Sequence, residues 1–443
     1  MCQAQAGALI IYHPLSIYKE NMRILVIGSG GREHAICYSF ARSSRVAKIF
    51  CAPGNGGISR VAECVAIKPE EIDKLIDFAQ QESIDLTFVG GESALALGIV
   101  DEFEKRGLKI IGASMSAARL EASKAFAKDF MARHGIPTAH YVTAESPVDA
   151  IAILEAGHFG NESSAVVVKA DGLAAGKGVV VARDRKEAVD ACSELADLVG
   201  SAAEKIVLEE CLVGKEVSLL MFVDGNNFVL MPPVRDHKRI GEGDTGPNTG
   251  GMGTITDSGL LTPAQTQQII AEMIEPTLDG CIEDGFPFRG ILFLGLMLTE
   301  GGAKLLEYNV RFGDPETQSI LVRLESDLVD ICEAILGGRL ADTAVKWCEG
   351  NSACVVLAAE GYPQKPRTGD VISGIDDAAS IDGVIVFHAG TVLSPDGSLA
   401  TAGGRVLGIT ARGTSLDEAL GSAYSAAERI TWKGMQYRKD IGQ

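Results

Sequence analysis

Between residues 22 and 115, short apolar runs alternate with helical patterns, and several of those runs break off into glycine-bearing loops. The runs at 23–27, 47–50, 86–89 and 108–111 read as strands, and 71–81 carries a helical pattern. Alternation at this spacing predicts a doubly wound parallel sheet. Ligands in such sheets sit outside the carboxyl ends of the strands. The ends carry Gly28-Ser29-Gly30-Gly31-Arg32-Glu33-His34, Ala52-Pro53-Gly54-Asn55-Gly56 and Gly90-Gly91-Glu92.

Downstream, 116–135 reads as one helix rich in Ala and Lys, stopped by Gly135 and Pro137. Strand-like runs follow at 165–169, 178–182, 205–209 and 216–223. Residues 236–253 hold six glycines in eighteen positions and read as a long functional loop. A helix is expected at 262–278, strands at 290–299 and 304–310, and helical structure at 327–345. From 350 onward, short strands and turns predict a small α+β domain. Residues 1–21 hold the run Ala8-Leu9-Ile10-Ile11-Tyr12 without a basic segment before it, a poor signal peptide. Met22 is the expected physical start of the fold.

Charge narrows the function. With Lys+Arg 40 and Asp+Glu 59 the net charge is −19, which repels nucleic acid and anionic lipid. An anionic substrate therefore needs a local basic pocket. No apolar stretch reaches the roughly 18 residues of a membrane span. The ten cysteines form no C-x-x-C pair and sit mostly in apolar runs, which predicts free thiols in a reducing cytoplasm.

The glycine loops point to phosphate chemistry. A dinucleotide loop would need glycine at 33, where Glu33 stands, and an acid after the second strand, where Ala52-Pro53-Gly54 stands. A phosphate needs only the backbone N–H groups of residues 29–32 at a helix start, with Arg32 beside them. The run Asp171-Gly172-Leu173-Ala174-Ala175-Gly176-Lys177-Gly178 is one residue short of a Walker loop and lacks its Ser/Thr. It reads either as a hairpin loop that closes over a triphosphate or as a solvated hairpin. Glu307 and Asn309 are the polar positions of an otherwise apolar strand and share one face of it. Two hard oxygen donors there suit Mg²⁺, or form a satisfied polar pair. The run 206–212 offers a strand edge to an adenine, and Glu216 offers a carboxylate to ribose hydroxyls. His237, in Asp236-His237-Lys238-Arg239, reads either as a ligand or base or, more readily, as a loop histidine in an anion-binding basic patch.

Together these motifs resemble the phosphoribosylamine–glycine ligases of the ATP-grasp superfamily. The resemblance rests on 26–35, 171–178, 236–253, Arg311-Phe312-Gly313-Asp314-Pro315-Glu316-Thr317-Gln318 and Thr401-Ala402-Gly403-Gly404-Arg405-Val406-Leu407, and spans about residues 22–435. It implies an α/β and α+β multidomain fold: an N-terminal substrate-binding sheet domain at 22–123, ATP-grasp subdomains at 124–340 with a lid at about 140–212, and a C-terminal α+β domain at 341–443. It implies ATP contacts from Lys124, Lys169, Gly176, Lys177, Glu209, Glu210, Leu212 and Glu216, and Mg²⁺ or Mn²⁺ on Glu307 and Asn309. Lys169, Arg311 and Asp236 are the implied catalytic residues. Gly30, Gly31, Arg32, Glu33, Asn55, Glu92, Asp236, Lys238, Arg311, Asp314 and Pro315 are the implied substrate contacts.

The implied partners are ATP, glycine and 5-phosphoribosylamine, with no nucleic acid or membrane, in a cytoplasmic monomer or weak homodimer. Two departures from the family pattern stand out. Gly295 occupies the position of a further metal-binding Glu, and Gly90-Gly91-Glu92 and Arg235 replace Gly-Pro-Glu and Gln. Another ATP-grasp ligase, or a nucleotide-binding regulatory module without turnover, are the alternatives.

Overall fold

A computed structural model of the chain describes residues 21–173, 178–200 and 204–443, with the side chains of 196–199 set aside. The first unit is a five-stranded parallel sheet in the order Glu63–Cys64, Val46–Pro53, Met22–Gly28, Leu86–Val89, Ile110–Ile111. Met22–Gly28 is apolar except for Arg23 and lies in the middle, as a strand covered on both faces must. Helices including Gly31–Ala41 and Ile72–Gln81 cover it. The predicted doubly wound sheet is therefore present.

The helix expected at 116–135 is two helices, Met115–Ala122 and Lys124–Arg133. Ser123 leaves the helical conformation at φ −132°, ψ 113°, and its hydroxyl caps the second helix by accepting from Phe126 N at 3.1 Å. A serine competes with the backbone for such bonds, so it breaks a run that Ala and Lys would otherwise continue. Lys124 thus starts a helix instead of sitting inside one.

A four-stranded antiparallel sheet follows, ordered Tyr141–Ala144, Ile206–Glu210, Val166–Ala170, Val179–Ala182. Helices Pro147–Glu155 and Arg185–Val199 pack on it around Val168, Leu195 and Leu208.

The largest sheet runs Gly302–Asn309, Arg289–Thr299, Lys215–Asp224, Val234–Asp236, Gly253–Thr256, Asn351–Ala358, Arg405–Gly413, Val384–His388. The C-terminal strands are therefore joined to the preceding ones in a single sheet, through the pairs Gly253↔Val355 to Thr256↔Ser352.

Residues 236–253 are not the structureless loop expected. They contain a hairpin of Arg239–Gly241 with Thr245–Asn248. Its turn holds Gly243 at φ +64° and Asp244 at φ +53°, so part of the glycine density serves turn geometry. The helix expected at 262–278 runs on to Glu283 and contains a π-helical stretch, Ile270–Ile274, just before Pro276. Proline has no N–H to give the preceding turn, and that turn widens. Among the described residues every cysteine is a free thiol, and no helix is long and apolar enough to cross a membrane.

Candidate active site

Two adjoining cavities, of about 300 Å³ and about 480 Å³, share Lys169, Glu209, Glu216, Asp236, Lys238 and Glu307 and so form one cleft. The four-stranded sheet makes one wall and the end of the large sheet the other. One extremity is lined by Glu210, Cys211, Leu212 and Met297, the other by Glu92, Arg311 and Asp314.

Glu307 and Asn309 point into the cleft from one face of Gly302–Asn309. Burial alone would push the Glu307 carboxyl up, but Lys238, Lys169, Lys124 and Arg311 together hold it below the usual range. Gly295 lies directly opposite Glu307 on the neighbouring strand. A Cβ there would come within 3.2 Å of Glu307 Cγ, so the cross-strand position is kept empty. Among the described residues no three His, Cys, Asp or Glu side chains cluster as a metal site by themselves.

The cations come from separate elements. Lys124 opens its helix and lines the cleft. Lys169 Nζ lies 2.7 Å from Glu209 Oε1, and Lys238 Nζ lies 2.7 Å from Glu216 Oε2. Arg311 is clamped by Glu121 Oε1 at 2.6 Å and Glu92 Oε2 at 3.2 Å. Asp236 is held well above the usual carboxylate range by burial and by neighbouring Glu316, and burial raises Glu316 too.

The glycine loop begins at Gly28, φ +134°, where any Cβ would collide with the Glu33 side chain. Glu33 is not open to the cleft. Its carboxylate accepts Gly30 N at 2.5 Å and Arg32 Nε at 2.6 Å, capping the helix it belongs to. Gly30 and Gly31 lie against Asp314 and Gln318. Asp314 Oδ1 accepts from Gln318 at 2.9 Å, and its partner across the loop is Arg405 at 3.5 Å. Pro315 follows and accepts Thr254 Oγ1 through its carbonyl at 3.1 Å.

Asn55 is likewise fully engaged. Its amide donates to Ser29 O and His388 O, both at 2.8 Å, and its oxygen accepts from Gly57 N and Ile58 N at 2.9 Å. Asn55 and Glu33 thus shape the loops, their polar atoms bonded within the protein. The reading of His237 is corrected. It is 2% exposed, donates from Nδ1 to Gly253 O at 3.1 Å and accepts Gly442 N at Nε2. Burial lowers it to about 4, so it is a neutral core histidine and not part of an anion-binding patch.

Glu210 accepts His140 N at 2.9 Å, and Arg235 donates to Gln443 O at 2.6 Å. Gly176 and Lys177 lie outside the described residues. Glu121, Glu316 and Lys128 were not singled out from the sequence. Lys128 had one usable signal: it lies four residues after Lys124, on the same helix face.

Three family models match in chain order: the N domain of phosphoribosylglycinamide synthetase at residues 22–121, its ATP-grasp (A) domain at 122–317 and its C domain at 352–443. The phosphoribosylamine–glycine ligase of Xanthomonas campestris is 47% identical over 426 residues, covering 95% of this chain and 97% of that one. The chain belongs to the phosphoribosylamine–glycine ligase family. The Pseudomonas aeruginosa ligase is 48% identical over 426 residues, at 95% and 97% coverage. The crystal structure of the Thermotoga maritima ligase superposes with a TM-score of 0.82 at 36% identity, covering 95% of this chain and all of that one. The biotin carboxylase domain of Hydrogenobacter thermophilus 2-oxoglutarate carboxylase, solved with MgADP, shares the fold at a TM-score of 0.68 and 18% identity, with 94% and 91% coverage. Phosphoribosylamine–glycine ligases are carbon–nitrogen ligases of the ATP-grasp fold, and ligases of that fold use ATP with a divalent metal.

Proposed function

We propose that this ligase, which joins glycine to 5-phosphoribosylamine at the expense of ATP in purine biosynthesis, does so through a glycyl phosphate. A glycine carboxylate oxygen bonds to the γ-phosphorus of ATP and ADP leaves. The amine nitrogen then bonds to the glycyl carbonyl carbon, and phosphate and a proton leave. The observation that carries this reading is the convergence of Lys124, Lys169, Lys238 and Arg311 on Glu307, between the segment 209–212, where the inner strand Ile206–Glu210 ends and which is therefore not the strand edge expected, and the Gly28 loop.

Two anions meet in the first step, so neutralising charge is the main task. Lys124 and Lys169 take the phosphates, residues 209–212 the adenine and Glu216 the ribose. Gly176 and Lys177, outside the described residues, belong to the ATP contacts of this reading. Arg311, held by Glu121 and Glu92, faces the reacting carboxylate, and Asp236 exchanges the proton with Glu316 as neighbour. The loop at Gly30 and Gly31, with Arg32 beside it, takes the ribose phosphate through N–H groups other than that of Gly30, which Glu33 holds. Asp314, Pro315 and Lys238 border that end.

Glu307 and Asn309 suit Mg²⁺ or Mn²⁺: a carboxylate kept ionised, an amide oxygen on the same face and an empty position at Gly295. When bound, the metal adds positive charge beside the phosphates. We place the enzyme in the cytoplasm as a monomer or weak homodimer, without nucleic acid or membrane. The charge of −19 supports the latter part.

The test uses isotope-labelled glycine. Label should enter glycinamide ribonucleotide one-for-one with ADP and phosphate, and hydroxylamine should intercept glycine hydroxamate when the amine is withheld. ATP turnover indifferent to glycine, or another acid accepted in its place, would sink this reading in favour of a different ATP-grasp ligase.

A further inference from the structure

The Glu209 carboxylate lies between two lysines, and one of them has no part in the reaction as proposed. Glu209 is 1% exposed. Its Oε1 is 2.7 Å from Lys169 Nζ and its Oε2 is 2.9 Å from Lys128 Nζ. Lys128 is itself 2% exposed and donates to Thr138 Oγ1 at 2.7 Å, and Thr138 donates to Leu305 O at 2.6 Å. Lys128 is thus pinned to the strand that carries Glu307. Lys169 is held more loosely: among the described residues its other polar partner is Leu306 O at 3.4 Å.

Lys169 has two possible anions to serve. In the structure it pairs with Glu209. To meet a nucleotide phosphate, the role given to it above and on which this inference rests, it must turn charge and N–H donors that serve Glu209 toward the phosphate. A buried carboxylate stripped of its counter-ion is strongly unfavourable, so a lone Glu209 would hold Lys169 back. We propose that Lys128 is a positioning residue that stays on Glu209 and compensates its charge, so that Lys169 is free to exchange Glu209 for the nucleotide phosphates.

The test compares Lys128→Met, Glu209→Gln, the double variant and Lys169→Met, by KM for ATP and by calorimetric binding of MgADP. Lys128→Met should raise KM for ATP by about tenfold or more, with a smaller change in kcat and in KM for glycine. Adding Glu209→Gln should recover most of that loss, because Lys169 then has no carboxylate to prefer. A merely structural Lys128 predicts no recovery.

A KM for ATP within about twofold of wild type in Lys128→Met overturns the proposal, as does a double variant no better than Lys128→Met. Should Lys128→Met fail to fold, the comparison moves to Glu209→Gln with and without Lys128→Met. Values within about threefold support the proposal, and a tenfold difference overturns it. Lys169→Met tests the underlying ATP assignment separately. Unchanged MgADP binding and KM in that variant would remove Lys169 from the nucleotide site whatever Lys128 does.

Discussion

Among the described residues, Glu307 has no side-chain donor of its own, yet the surrounding cations keep it ionised. Glu307→Ala should therefore lower turnover by about 10²–10³-fold, the scale of losing one preorganised charge contact. Its melting temperature should stay within a few degrees of wild type. Near-normal turnover at millimolar Mg²⁺ would remove Glu307 from the metal. The double change Glu307→Gln with Asn309→Asp keeps one charge and two oxygens, and should retain more activity than Glu307→Ala. Asp236 is the opposite case, a carboxyl that burial and neighbouring Glu316 push well above the usual carboxylate range. Asp236→Asn should leave the melting temperature at neutral pH unchanged or raise it; a clear fall would mean that the acid is ionised in the fold. Glu307 and Asn309 were legible because a polar pair interrupts an apolar strand at period two. The bonds that engage Glu33 and Asn55 were not legible. Glu33 is bound locally, in the capping box of the helix it belongs to, whereas for Asn55 one partner, His388, lies 333 residues away.

At the level of elements, Val166–Ala170 and Val179–Ala182 form the outer hairpin of the four-stranded sheet and carry Lys169 against the cleft. Nucleotide bridging the two walls should slow amide hydrogen exchange in both strands, while the central strand Met22–Gly28 stays slow throughout. Exchange in the hairpin that ignores MgADP would count against its acting as a closing wall. The strands were readable from their apolar runs. The break at Ser123 was not, since Ala and Lys on either side favour helix and Asp171, which receives the Ser123 hydroxyl at 2.9 Å, comes from a distant loop. The hairpin within 236–253 was hidden because glycines needed for turns look the same in sequence as glycines of an open loop.

Across the whole molecule, the N-terminal sheet is tied to the C-terminal strands by His34 Nδ1, which accepts His388 N at 2.8 Å. Burial lowers His34 to about 3 and His388 and His237 to about 4. An unfolded chain protonates these rings near pH 6.5 and the folded one does not. Between pH 6.5 and about 4 the unfolded state thus binds more protons, and stability falls as pH falls, by roughly 1.4 kcal/mol per pH unit per histidine. His34→Gln keeps an acceptor for His388 N without a titrating ring. It should flatten that decline in melting temperature between pH 6.5 and 5, and an unchanged slope would exclude His34 as a source. The continuous sheet predicts that a chain ending at residue 350 exposes Gly253–Thr256 as an unpaired edge and aggregates. A soluble, monodisperse fragment by light scattering would refute this. The same pairing bears on synthesis. Between Thr256 and Asn351 the ribosome adds about 95 residues, which at about 5–20 residues per second takes roughly 5–20 s. Through that interval Gly253–Thr256 has emerged before its partner exists, so the nascent chain, more than the finished enzyme, is where this fold needs a chaperone.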